Sequence, residues 1–195
     1  MIGAKKMKEI YVDNYSISIS LEPDYDVKSA DNIQYDKIII LDKKYSKTIC
    51  IKIKKDDYIK KIAVIVPYFI YIDNCALSAK QYIFFMFDNL WCLFDPRTMS
   101  FVKQKKVLTV EGTMFAAYSY EEDFILHGEV EIYRVTQDLS IKWSFSGEDI
   151  FVRYKGEEPA FEMREDRICL YDFMDNYYEI NYDGILINSK YISKE

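Results

Sequence analysis

Short apolar segments and Asp-bearing turns recur along the chain at a nearly constant interval. Each copy contains an apolar strand, a short polar turn, an aromatic-rich strand, a turn that carries Asp, and a third apolar run. The three copies are residues 82–103, 124–145 and 167–189. Their turns lie near Asp95, Asp138 and Asp183, which are separated by 43 and 45 residues. A four-stranded unit of this length is typical of a β-propeller blade, and it must stack on its neighbours because it cannot bury both of its faces alone.

The repeat predicts an all-β fold of antiparallel, blade-like repeats in a small or incomplete β-propeller. A weaker fourth copy begins at Tyr35 and turns within residues 42–47. No segment rich in Pro, Gly or Ser divides the chain, so we expect residues 1–195 to form a single domain with about three to four repeats of 43–45 residues. Aromatic residues make up 16% of the chain, and we expect most of their rings to fill the interfaces between blades. A β-sandwich is the alternative, since any chain of hairpins can show a similar spacing.

Residues 132–143, Ile-Tyr-Arg-Val-Thr-Gln-Asp-Leu-Ser-Ile-Lys-Trp, resemble the repeat of quinoprotein-type (PQQ-like) β-propellers. That repeat has an aromatic residue, an apolar pair, an Asp-containing turn that usually ends in Gly, and then Trp. Residues 177–184 match its first half and include the Gly, whereas Ser140 stands where Gly is expected and Trp143 has no counterpart in the other copies. The resemblance implies a blade-like fold only. No residues match the ligands of a quinone site, so we expect no cofactor.

The charge of the chain is divided unevenly between its two halves. The formal net charge is -6, but residues 1–106 hold 18 basic and 13 acidic side chains, and residues 107–195 hold 8 basic and 19 acidic ones. The first part therefore carries +5 and the second -11. A net acidic chain lacks the basic footprint of a nucleic-acid-binding protein, so we expect no nucleic-acid partner. The acidic second part favours a basic partner protein.

The cysteines and the apolar runs predict the compartment. Cys50, Cys75, Cys92 and Cys169 include no Cys-x-x-Cys pair, and each lies in an apolar or strand-like run, which favours structural thiols in a reducing compartment. The N-terminal residues lack the apolar stretch of a secretory signal. The longest apolar run, residues 62–72, is interrupted by Pro67 and is too short for a membrane helix. We expect a soluble cytoplasmic protein without a membrane partner, in an oligomeric state that the sequence does not specify.

Few residues point to catalysis. His127 is the only histidine, and in a strand-like run it is expected to be structural. Glu129 and Glu131 are expected on one face of a strand, and Asp172 and Asp175 in a tight turn at the end of a strand. Neither pair fits a calcium loop, so no metal site and no catalytic residue is predicted. A small carboxylate-dependent hydrolase would need two carboxylates in one pocket, and it stays open as an alternative to a binding protein.

Acidic clusters in predicted loops, together with tyrosines, are the best candidates for a binding surface. Tyrosines are rigid anchors at protein interfaces, and carboxylates steer and pair with Lys or Arg. The predicted partner-binding residues are Glu121, Glu122, Asp123, Glu129, Glu131, Glu148, Asp149, Glu157, Glu158, Asp172, Asp175 and Tyr177. We therefore predict a non-enzymatic intracellular protein-binding module with an acidic, Tyr-rich surface. A bacterial immunity-type protein against a basic toxin fits this description, and a structural scaffold without a ligand is the further alternative.

Overall fold

The structure is a computed structural model that describes residues 7–26, 28, 34–41, 46–67, 71–154 and 158–191. Within these ranges the chain is built mainly from β-strands, and residues Ile72–Asn74 form a short 3-10 turn. The strands form four small sheets. The sheets fall into two compact units, residues 1–107 and residues 108–195, which we call the first unit and the second unit.

The first sheet contains five strands in the spatial order β1-β2-β4-β5-β3. These strands are β1 (Met7–Val12), β2 (Tyr15–Leu21), β3 (Lys37–Ile40), β4 (Ser46–Lys55) and β5 (Tyr58–Pro67). Three pairs are antiparallel, whereas β3 pairs in parallel with β5. The weaker fourth copy that begins at Tyr35 therefore does not form a simple meander. Its predicted turn lies mostly outside the described residues.

The second sheet of the first unit is an antiparallel meander. Its strands are β6 (Ala76–Ala79), β7 (Tyr82–Phe87), β8 (Leu90–Asp95) and β9 (Ser100–Lys106). β7 and β8 are buried on both faces. Their rings pack in one core cluster with the alternating isoleucines of the first sheet; Phe85, for example, lies 5.2 Å from Phe87 and 6.2 Å from Phe94 between ring centroids. Trp91 of β8 is fully buried, and its indole N–H donates to the carbonyl of Asp88.

The second unit contains two further four-stranded meanders. The third sheet is formed by β10 (Met114–Tyr120), β11 (Asp123–Gly128), β12 (Glu131–Val135) and β13 (Ile141–Ser146), and the fourth by β14 (Phe161–Met163), β15 (Ile168–Tyr171), β16 (Tyr177–Ile180) and β17 (Leu186–Lys190). Apolar side chains from one face of each sheet meet in a shared core, in which Tyr118 stacks on Phe161 with ring centroids 4.9 Å apart. Aromatic rings thus fill this interface between sheets.

The three predicted Asp turns occupy the same place in the last three sheets. Each connects the third strand of a meander to the fourth, near Asp95, Asp138 and Asp183. Each also contains one residue with positive φ. These residues are Met99 (53°), Leu139 (66°) and Gly184 (78°). The left-handed position in the second of these turns is therefore Leu139, and not the neighbouring Ser140 at which the sequence pattern placed Gly.

A β-bulge follows each of these turns at the same distance. The pairing register shifts by one residue in the outer strand of each sheet, so that one residue has no direct partner. The bulged residues are Val102, Lys142 and Ile187, and each lies three positions after the left-handed residue. The shared turn and bulge make the three outer strands structurally equivalent, although their sequences differ.

These features confirm the prediction of an all-β fold with blade-like repeats. The antiparallel arrangement holds for every described strand pair except β3 with β5. The prediction that residues 1–195 form a single domain stays a prediction. Among the residues that the structure describes, no helix is long and apolar enough to cross a membrane. The four cysteines are buried and free of disulfides.

Candidate protein-binding surface

The predicted site residues of the second unit lie at two opposite ends of its sheets. In a meander the first and third turns share one end, and the second turn lies at the other. Hydrogen bonds join the matching ends of the two sheets: Arg134 donates to the carbonyl of Tyr182 over 2.8 Å at one end, and the N–H of Phe173 donates to the carbonyl of Ile150 over 2.8 Å at the other. We call the first the Arg134 end. We call the other the Asp175 end, because Asp175 lies there in the turn between β15 and β16.

The structure therefore separates the acidic residues that the sequence analysis grouped. The turn between β10 and β11 carries Glu121, Glu122 and Asp123 to the Arg134 end. The others that the structure describes lie at the Asp175 end, namely Glu129, Glu131, Glu148, Asp149, Glu158, Asp172, Asp175 and Tyr177. Glu157 lies outside the described residues. The candidate surface is therefore to be sought at the Asp175 end.

At the Arg134 end the carboxylates of Asp123 and Glu121 are held by internal cations. Asp123 is buried and accepts hydrogen bonds from Arg134 Nε at 2.6 Å and from Lys142 Nζ at 2.7 Å. Burial raises the pKa of the Asp123 carboxyl, but the hydrogen bonds from Lys142 and Arg134 outweigh it and hold that pKa below its ordinary value. Glu121 pairs with the same guanidinium at 3.2 Å. We conclude that Asp123 stabilises the fold and is not exposed to a partner, contrary to its prediction as a binding residue.

Glu129 and Glu131 do not share the face of one strand. Glu129 lies in the short connection between β11 and β12, because β11 ends at Gly128 and β12 begins at Glu131. Its carboxylate accepts from the N–H of Thr113 over 2.9 Å, and that of Glu131 accepts from the hydroxyl of Tyr133. Glu129 therefore fixes a neighbouring segment, Glu131 is bonded to a residue of its own strand, and the predicted pairing on a strand face is corrected.

Asp172 shapes the turn between β15 and β16. Its side chain is fully buried and accepts four hydrogen bonds, from the N–H groups of Met174 (3.0 Å) and Asn176 (2.9 Å), the Asn176 amide (2.9 Å) and the Tyr178 hydroxyl (2.8 Å). Asp175, in the same turn, has a φ of 61°. Asp172 is therefore unavailable to a partner or to acid–base chemistry with Asp175, contrary to its prediction as a binding residue.

The turn that Asp172 holds presents apolar side chains to solvent. Phe173 is 49% exposed and Met174 is 42% exposed. With Tyr154, which is 82% exposed, and Asp175 they line a shallow hollow of about 320 Å³. Sequence reasoning missed these residues because Phe-Met reads as the end of a buried strand. The usable signal was their position between two turn-forming aspartates.

A polar cleft of about 550 Å³ adjoins this hollow and shares Asp175 with it. Arg153 stacks on the ring of Tyr171, with its guanidinium carbon 4.0 Å from the ring centroid, and pairs with Asp175 at 2.9 Å and Glu158 at 2.8 Å. Glu158 and Asp175 thus contribute to the rim through Arg153. A backbone hydrogen bond, followed by the hydrogen bond from Arg153, lowers the pKa of the exposed Glu158 carboxyl.

Tyr177 lies inside the same cleft. Its ring centroid is 4.9 Å from that of Tyr171, and its hydroxyl donates to Glu179 over 2.6 Å and contacts the sulfur of Cys169 at 3.3 Å. Burial, followed by these hydrogen bonds, raises the pKa of the Tyr177 hydroxyl well above its ordinary value. The structure therefore places Tyr177 beside Asp175, where its half-buried ring forms one side of the cleft.

The loop before β14 adds further acidic groups to this end. Glu148 is exposed, and its N–H donates to the hydroxyl of Tyr178 over 3.0 Å. Asp149 is half-buried and accepts from the N–H of Ile150 over 2.8 Å. The unit boundary after Val107 also coincides with the change of charge along the sequence, so the whole second unit carries the formal charge of -11.

Two other sites bear on catalysis. His127 stacks on Phe161 at 4.7 Å and meets the edge of Phe115 at 5.2 Å, and burial lowers its pKa to about 4. Its ring thus packs against two aromatic side chains, and its structural role stays a prediction. Glu111 and Glu131 line one open cleft of about 470 Å³ together with Tyr133. In the described part of the chain, no group of three or more His, Cys, Asp or Glu residues is placed to hold a metal ion.

The comparisons with known proteins concern the fold. No protein-family model and no curated protein matches the chain. Among solved structures it is similar to the AfRom2 CNH domain, with a TM-score of 0.52, 11% identity, and 96% of this chain and 54% of that chain covered. Hsv2 of Kluyvelomyces marxianus follows with a TM-score of 0.42, 9% identity, and 75% and 44% coverage. The chain thus spans about half the length of the solved structures that it matches. At 11% identity the likeness to the CNH domain shows a shared fold over nearly the whole chain.

Proposed function

We propose that this chain is a non-enzymatic protein-binding module, and that a basic partner protein docks at the Asp175 end of the second unit. The observation that carries the proposal is the exposed apolar group of Tyr154, Phe173 and Met174, which projects from an acidic unit beside the charged cleft of Arg153.

The apolar group has the composition of an interface centre. Aromatic residues and Met are enriched at the centres of protein interfaces, and charged groups form the rim. Asp172 fixes the turn through four hydrogen bonds, two of them from backbone N–H groups, so the backbone that carries Phe173 and Met174 is ordered before a partner arrives. A surface that is already ordered loses less conformational entropy on binding, which supports a docking role.

The acidic charge supports the choice of a basic partner. A formal charge of -11 attracts a cationic protein over distances of about the Debye length, roughly 8–10 Å in physiological salt. Glu158 and Asp175 are already paired with Arg153, so they add little to affinity by direct contact. We therefore expect charge to raise the rate of association, and the apolar group to supply most of the affinity.

An immunity-type protein that holds a cationic toxin is one form of this proposal. The acidic charge of the chain supports it, and a cytoplasmic location is part of the proposal. Its distinguishing test is protection: co-expression of this chain should restore the growth of cells that produce the captured partner.

The docking surface is tested by affinity capture from a native lysate with three forms of the chain. The wild type should retain a basic protein in stoichiometric amount at low salt. The double variant Tyr154→Ala, Phe173→Ala should lose it. Val102→Ala, which removes an exposed apolar side chain from the first unit, should retain it. Equal retention by the double variant, or a partner that is acidic and indifferent to salt, would contradict the proposal.

A carboxylate-dependent hydrolase is the second candidate, because Glu111 and Glu131 meet in one cleft. The cleft satisfies the minimum that such a reaction needs, two carboxylates facing the same space. Release of nitrophenol from a panel of nitrophenyl glycosides, abolished by Glu131→Gln, would support this function. If no glycoside is hydrolysed, the protein-binding module remains the favoured function. If the lysate experiment also captures no partner, a structural scaffold without a ligand remains.

A further inference from the structure

The outer strand of the fourth sheet exposes an apolar edge. β17 is the last strand in the order β14-β15-β16-β17, and in the part of the chain that the structure describes no strand pairs with its outer side. Ile185 is 62% exposed, Leu186 43% and Ile187 51%, and Tyr191 follows the strand with 56% exposure. Exposed edges with apolar side chains readily pair with other chains unless charges, prolines or bulges protect them. The bulge is common to β9, β13 and β17, so charge is the protection in which these strands differ.

The equivalent strands of the other repeats carry that protection. β9 has the sequence Ser-Phe-Val-Lys-Gln-Lys-Lys, and β13 has exposed Lys142, Ser144 and Ser146. At the bulge itself, β13 places Lys142 where β17 places Ile187. β17 carries a single charge, Lys190, at its end. Its apolar edge is thus a departure from the other copies.

We propose that this edge joins a second copy of the chain in an antiparallel, two-fold dimer. A two-fold contact requires a surface that complements itself. Antiparallel alignment about Ile187 brings Lys190 of one copy beside Gly184 and Asp183 of the other. The side chain of Asp183 is 80% exposed, and its pairing with Arg134 is long, at 3.9 Å. In the same alignment Ile187 lies opposite its own copy, Leu186 opposite Asn188 and Ile185 opposite Ser189, and two symmetric Lys190–Asp183 pairs lie at the two ends.

The size of the edge sets the strength of the dimer. A five-residue strand and its flanking side chains fall below the roughly 1,200 Å² of a standard interface, so the dimer is weak and depends on protein concentration. The charge of -11 on each second unit opposes association, and added salt screens this repulsion. Salt also screens the two Lys190–Asp183 attractions, but the repulsion between two units of charge -11 is the larger effect, so salt strengthens the dimer and weakens the binding of a basic partner. This difference separates the dimer from the proposed function.

Sedimentation equilibrium from low to high micromolar concentration tests the dimer. The wild type should dimerise more at high salt, and Ile187→Lys should remain monomeric. The fold accepts lysine at this bulge in β13, so the variant is expected to fold. Val102→Lys, the same change at the equivalent bulge of β9, is the matched control and should dimerise like the wild type.

Charge exchange provides a second measurement. Lys190→Asp and Asp183→Lys should each weaken the dimer several-fold, and the double variant should restore it, because the two charges meet across the two-fold axis. A wild type that is monomeric at all concentrations would overturn the proposal. A dimer that Ile187→Lys leaves unchanged would also overturn it. The same holds if Ile187→Lys abolishes capture of the basic partner and has no effect on dimerisation.

Discussion

The neutral imidazole of His127 should make the stability of this protein depend on pH between 7 and 5. The ring lies between Phe115 and Phe161, and its Nε2 atom is 3.4 Å from the carbonyl oxygen of Phe151. Burial opposes protonation and lowers the folded-state pKa to about 4, a change that the contact with Phe151 only partly offsets. In the unfolded chain the pKa of the same group is about 6.5.

The sign and size of the effect follow from these two pKa values. Between pH 6.5 and 4 the unfolded chain binds a proton that the folded chain does not, so acid favours unfolding in this window. At pH 5 the unfolded imidazole is about 97% protonated and the folded one about 10%, which corresponds to a loss of about 2 kcal/mol in the free energy of unfolding relative to pH 7. The stabilising ion pairs of Asp123 are lost only at lower pH, because that carboxyl has a lowered pKa.

Urea unfolding followed by far-UV circular dichroism at several pH values measures this loss. His127→Phe is the control, because phenylalanine keeps an aromatic ring between Phe115 and Phe161 and removes the titration. The wild type should lose about 2 kcal/mol more than the variant between pH 7 and 5. Parallel pH profiles for the two proteins would refute the assignment of a buried, neutral His127.

Three further changes test the second unit by urea unfolding at pH 7. Asp172→Ala leaves several buried donors without their acceptor and should cost roughly 3 kcal/mol; a loss below about 1 kcal/mol would show that water replaces the carboxylate. Gly184→Ala should cost about 2 kcal/mol, because φ is +78° and the new Cβ would lie 2.6 Å from the ring of Trp143; unchanged stability would mean that Trp143 moves aside freely. Arg134→Met leaves the buried Asp123 with Lys142 alone and should cost roughly 3 kcal/mol, whereas a neutral outcome would show that Lys142 suffices.

The repeats could be predicted because their signals are local. Asp138 and Asp183 mark turns that their own side chains and neighbours favour, and β-branched and aromatic runs favour strands on either side. The parallel pairing of β3 with β5 could not be predicted. It joins residues about 25 positions apart, and Lys37–Ile40 has no sequence feature that selects β5 over β4.

The sequence indicated which types of residue form the candidate site, but it did not show which of them are exposed to a partner. Asp172 and Asp175 are both acidic turn residues in the sequence, yet one is fully buried and the other lies on the rim of the cleft. Burial and partners depend on contacts with distant residues such as Arg153, which the spacing along the chain does not reveal. The same limit explains why Phe173, exposed by the turn, was overlooked as a binding residue.

The two tryptophans of the chain fall in different compact units, Trp91 in the first and Trp143 in the second. Each unit thus carries one tryptophan, which can be excited at wavelengths that the 18 tyrosines do not absorb. In Trp143→Phe the emission reports the first unit alone, and in Trp91→Phe the second alone. If tryptophan emission and circular dichroism change at the same urea concentration in both variants, residues 1–195 unfold as one cooperative domain. If the two transitions occur at different urea concentrations, the division after Val107 is a boundary between two independently folding parts.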